Sequence, residues 1–144
     1  MRNEDTIKLL KECDAGSKMA VSSIDDALDY VKDKEMLALL TETKKHHEKL
    51  GNDLHEMLNE HDADEKEPSM MAKGMSKIKM SVKLGMDNSD ETVADLIVDG
   101  CDMGIKSLQK YMNQYPAAEK ATKDLCIRLI NIEDELRRKL YSYM

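Results

Sequence analysis

Four long segments of this chain carry apolar side chains on a three–four spacing, and the second and third are separated by residues 61–88. That gap constrains the fold more than any single motif. A short loop makes neighbouring helices antiparallel, whereas a connection of about 28 residues lets the third helix start at the same end as the second. The first segment, about 5–32, steps through Ile7, Leu10, Asp14, Ser17, Val21, Ile24, Leu28 and Val31. The second, about 33–60, steps through Leu37, Leu40, Lys44, His47, Gly51, Leu54 and Leu58. A third, about 90–114, carries Val93, Ile97, Cys101, Gly104, Leu108 and Met112, and a fourth, about 117–142, carries Thr122, Leu125, Leu129, Ile132, Leu136 and Leu140. Such seams predict an all-α bundle.

The punctuation agrees. The prolines, Pro68 and Pro116, fall between periodic segments, and runs of period-2 alternation are absent. Lys32-Asp33-Lys34 reads as a tight hairpin junction, Asn88 and Glu91 are spaced for a capping box, and Pro116 suits the first position of the last helix. Inside the long connection, Ser69 is placed to cap a short extra helix over 70–84. The 144 residues suit one domain, 1–144, with a core of its own.

Composition removes whole classes of function. The net charge is −7, with no Trp, no Phe and 5 Tyr. Nucleic-acid binding through a basic groove and aromatic platforms is therefore not expected. No signal-peptide core follows Met1, and no apolar run approaches a membrane span. Cys13, Cys101 and Cys126 are odd in number and lack metal-finger spacing, which points to buried thiols in the cytoplasm.

Each seam loses its apolar character near its midpoint: Asp14, Gly16 and Ser17; His47 and Gly51; Gly100, Cys101 and Gly104; Arg128 and Asn131. Buried polar groups of this kind gather and satisfy one another. With its helix lengths, long helical crossover and glycine-flanked midpoints, nearly the whole chain resembles the short bacterial ferritin-like bundles of unknown function. The resemblance implies a ferritin-like four-helix bundle. It also implies a place for two metal ions, held by a Glu on each of two helices and a Glu-x-x-His on each of the others. The residues here depart from that set. Ser17 and Cys101 stand beside Gly16 and Gly100, Lys44 and Thr43 stand three before His47 and His46, and the last helix has no histidine. Asp14, His47, Cys101 and Glu135 are the ligand types left for a smaller site, for iron, manganese or zinc.

Other motifs fall short of their chemistry. His55-Glu56 is followed by Asn59 where a zinc protease needs its second histidine, and Asp62-Ala63-Asp64 leads to Glu67 where a calcium loop needs glycine. The 70–86 region is less ordinary. It alternates Met71 and Met75 with Lys77 and Lys83, a basic amphipathic stripe able to dock a partner or to cover the bundle's own open side. The sequence therefore predicts a non-enzymatic bundle without a resident cofactor, structural or protein-interacting, with a homodimer as one assembly. Two alternatives stand beside it: a metal-binding or redox protein centred on His47, and a docking module built on 70–86.

Overall fold

A computed structural model describes residues 3–64, 85 and 87–144. The predicted helix over 70–84, with Met71, Met75, Lys77 and Lys83, lies outside the described residues. Among the described residues, four helices make the fold: α1 (Glu4–Leu28), α2 (Lys34–Glu60), α3 (Asp90–Gln114) and α4 (Lys120–Leu140), followed by a short 3₁₀ turn at Tyr141–Tyr143. None of the described helices is long and apolar enough to cross a membrane.

Side-chain acceptors start three of the four helices. Asn3, Asp33 and Ser89 accept from the backbone N–H groups of Thr6, Met36 and Thr92, each satisfying a donor that the first turn leaves without a partner. Ser89 therefore takes the role expected of Asn88: the serine oxygen reaches the N–H three residues on without help from Glu91. Helix α4 starts later than expected. Pro116 lies in the α3–α4 turn, and Glu119 precedes the first helical residue.

The connections fix the topology. At one end, the Asp90 carboxylate accepts from the backbone N–H groups of Lys32 at 2.8 Å and Asp33 at 2.9 Å, tying the α1–α2 turn to the start of α3. At the other end, the N–H of Glu119 donates to the Thr6 hydroxyl at 2.8 Å, and that of Ala117 donates to Asp5 at 3.0 Å. Thus α1 and α4 run one way, while α2 and α3 run the other. Helix α1 packs on α2 and α3, and α4 packs on the same two; α1 and α4 also touch across the diagonal. Every neighbouring pair in the ring is antiparallel, and α2 and α3 start at the same end, as the length of the connection predicts. Replacing Asp90 with alanine removes two charge-assisted bonds at a partly exposed site. The expected loss is about 1–2 kcal/mol, read as a lower denaturant midpoint with an unchanged slope.

Asp87 secures the same end. Its carboxylate accepts from the Thr92 hydroxyl at 2.6 Å and from the Ser89 N–H at 3.0 Å. Those hydrogen bonds, the Thr92 one foremost, hold its pKa below the ordinary carboxylate value. A depressed native pKa contributes stability above the unfolded-state pKa, and that contribution disappears as pH falls through the native value. Thr92→Val is expected to move the Asp87 titration up toward the ordinary value, measured by NMR pH titration of the side-chain carboxyl carbon.

The core forms two blocks. One gathers Ile24, Ala27, Met36, Leu40, Val93, Ile97, Leu136 and Leu140; the other gathers Ile7, Leu10, Leu50, Leu54, Leu58, Leu108, Leu125 and Leu129. Two of the expected seams are corrected. On α2 the buried line is Met36, Leu40, Thr43, His47, Leu50, Leu54 and Leu58. Leu37 is exposed, and Lys44 turns outward to pair with Asp25 of α1. On α4, Glu133 is buried where the sequence reading has Ile132, which is half-buried. Both errors are shifts of one position on a helix, which rotate a side chain by about 100°.

Candidate functional site

Between the two apolar blocks lies a polar layer of buried side chains: Asp14 and Ser17 from α1, Thr43 and His47 from α2, and Glu133 from α4. His47 is fully buried, with its Nε2 2.7 Å from Oε1 of Glu133. The contact lies off the direction of the ring N–H, so neither ring nitrogen has an aligned hydrogen-bond partner among the described residues. It is a close contact between imidazole and carboxylate. The backbone around the histidine is held separately: the Ser17 hydroxyl donates to the His47 carbonyl at 3.1 Å, and Thr43 donates to the Leu39 carbonyl.

Cys101 approaches the same carboxylate from α3. Burial first, then the negative charge of Glu133, pushes its thiol pKa far above normal, and the thiol donates a hydrogen bond to that carboxylate. A thiol held in its protonated form is a poor nucleophile and a poor metal ligand. Asp14 is buried at the edge of the layer, where Lys18 lies 3.1 Å from its carboxylate. Of the four ligand candidates, His47 and Cys101 thus meet at Glu133. Glu135 lies elsewhere: its exposed carboxylate pairs with Lys139 at 2.9 Å on the outer face of α4. Arg128 is likewise outside the layer, paired with Asp53 at the surface, and Asn131 is exposed. Among the described residues, no group of three or more His, Cys, Asp and Glu side chains is arranged to hold a metal ion.

Glu133 is the residue that sequence reasoning missed. The signal was present: Thr122, Cys126, Leu129, Glu133, Leu136 and Leu140 keep the three–four step, and Glu133 is the acidic residue on that line. With Ile132 taken into the seam, Glu133 falls one position outside it.

On its other side Glu133 lines a groove. The space between α1 and α3, floored by α4, forms a cavity of about 460 Å³, within the range of small-molecule sites. Gly16 and Ala20 make one wall, Gly100 and Gly104 the other, and Leu129 and Glu133 belong to the floor. A methyl group built on Gly16 would meet Leu108 and Leu129 at 3.9 Å, and one on Gly104 would meet Oε2 of Glu133 at 3.9 Å. On Gly100 it would meet nothing within 4 Å among the described residues. These are ordinary contacts or open space, so close helix packing does not require the three glycines. What the absent side chains leave is the groove.

No family model matches this chain, and no curated protein or solved structure does either.

Proposed function

We propose that this chain is a ferritin-like bundle turned into a non-enzymatic binding module, with the α1–α3 groove as its binding surface. The groove itself carries the reading: a largely apolar cavity of about 460 Å³ with a buried carboxylate in its lining. The ferritin-like assignment is supported by four helices in an up-down-down-up order with one long connection. The central layer supports a role without metal. A two-metal centre needs several inward carboxylates, and here the layer holds two: Asp14 is paired with Lys18, and Glu133 faces one imidazole and one protonated thiol.

Titration with the neutral dye Nile red tests this reading. Wild-type protein is expected to shift the dye emission to the blue with saturation, and Gly100→Leu, which fills open space at the groove wall, is expected to weaken that signal at least severalfold. No saturable signal from folded wild-type protein would end the proposal.

A second reading, metal or redox chemistry around His47, draws on the absence of aligned partners for both ring nitrogens of this buried histidine. Elemental analysis of protein purified without chelator, from cells supplied with iron, manganese and zinc, decides between the two. Near-stoichiometric metal that is lost in His47→Ala would replace the binding-module reading.

A further inference from the structure

The charges lining the groove point to a class of ligand. Among the described residues, its charged lining residues are Glu12 and Glu133, and no Lys, Arg or His belongs to the lining. Glu12 stands about one helical turn from Gly16, on the side away from Ala20, whereas Glu133 belongs to the floor. The rest of the lining is mostly glycine, alanine, methionine, leucine and isoleucine, a surface suited to an alkyl chain, with Ser23, Ser107, Cys101 and Tyr111 as its polar members. Such a site disfavours carboxylates and phosphates on two grounds. It presents like charge, and among the described residues it has no cationic side chain to replace the water an anion would lose.

Glu133 is built to receive a cation. Its residue is 7% exposed, and Oε1 is occupied by the contact with His47 at 2.7 Å. Oε2 lies beside the glycine wall, 3.9 Å from where a Gly104 side chain would begin. An ionised carboxylate has about four acceptor positions, and His47 and Cys101 together do not fill them. Folding has already taken this carboxylate out of water, so a ligand cation meets an acceptor that is largely desolvated and fixed in place. An alanine at position 104 would place a methyl group in ordinary van der Waals contact with that oxygen, on a side that glycine leaves open.

We propose that the groove binds an amphipathic amine, with its alkyl chain along the glycine-lined wall between α1 and α3 and its ammonium group on the Glu133 carboxylate. The inference rests on the groove being the binding surface, and its test is chosen so that the two can fail separately. Nile red bound to the wild-type protein is displaced with n-octylammonium, 1-octanol or octanoate, which share a chain and differ in the head group. Octylammonium is expected to compete about tenfold better than octanol, the factor for one charge-assisted hydrogen bond, with octanoate weakest. In Glu133→Gln the advantage of the amine over octanol is expected to shrink to about twofold or less, while octanol itself competes as before. A measurement on the wild type guards against a variant that fails to fold: the Glu133 carboxyl carbon should shift on adding octylammonium and stay in place with octanol. Equal competition by amine and alcohol, or an unmoved Glu133 carbon with bound amine, would overturn the amine assignment and leave the groove reading standing. Absence of saturable Nile red binding would overturn both.

Discussion

His47→Ala is expected to destabilise the bundle by about 3–5 kcal/mol, a large part of the stability of a domain this size. The imidazole is fully buried, and its removal has two effects at once. It leaves a hole between α2 and α4, and it takes from the buried Glu133 carboxylate its neighbour 2.7 Å away. The second effect dominates, because a buried polar group left without its partner loses more than a few missing van der Waals contacts. The melting temperature should fall by on the order of 10 °C. The double replacement His47→Leu with Glu133→Leu separates the two effects. It removes both buried polar groups and restores volume, so it should recover most of the loss or exceed wild type. A single-variant loss below about 1 kcal/mol, by denaturant titration, would show that the pair contributes little.

The glycines predict a change of opposite sign. Gly16, Gly100 and Gly104 sit inside regular helices, and none has a positive φ that an alanine would strain. Each lowers helix stability by about 0.8–1 kcal/mol relative to alanine, through backbone freedom in the unfolded chain. An added methyl at any of the three meets nothing closer than 3.9 Å. The triple replacement with alanine is therefore expected to stabilise the fold by about 2–3 kcal/mol and to raise the denaturant midpoint. The same three methyl groups narrow the cavity, so Nile red affinity should fall as stability rises. Stability and binding moving together would contradict the account of these positions as the groove wall.

Much of this architecture is legible in the amino-acid order, for physical reasons. The three–four spacing of Leu40, His47, Leu54 and Leu58 reports a face that must leave water, and the long gap before Asp90 dictates the direction of α3. The polar layer is visible too, because an aspartate, a histidine and a cysteine break otherwise apolar lines. What the sequence leaves open is rotation about the helix axis. Ile132 and Glu133 are neighbours in the chain, and an apolar residue is the ordinary choice for a seam. Only contact with His47 shows that the carboxylate occupies the inner position. Glu135 illustrates the same limit, since its composition suits a ligand while its direction commits it to Lys139. The groove leaves a still fainter trace, because three small residues on two helices have no spacing of their own that announces a cavity.

The polar layer between the two apolar blocks also sets register. Leucine-rich faces tolerate sliding, because one leucine replaces another when a helix moves by a turn, about 5.4 Å. A slip of that size between α2 and α4 would carry Glu133 from the level of His47 toward Thr43 or Leu50 and strand a buried carboxyl group away from its partner. One histidine and one glutamate therefore act as the key that admits a single alignment of four otherwise permissive helices. In that role the pair selects among folded states, whatever its net contribution to stability, and the groove beside it inherits a wall of fixed height on every molecule.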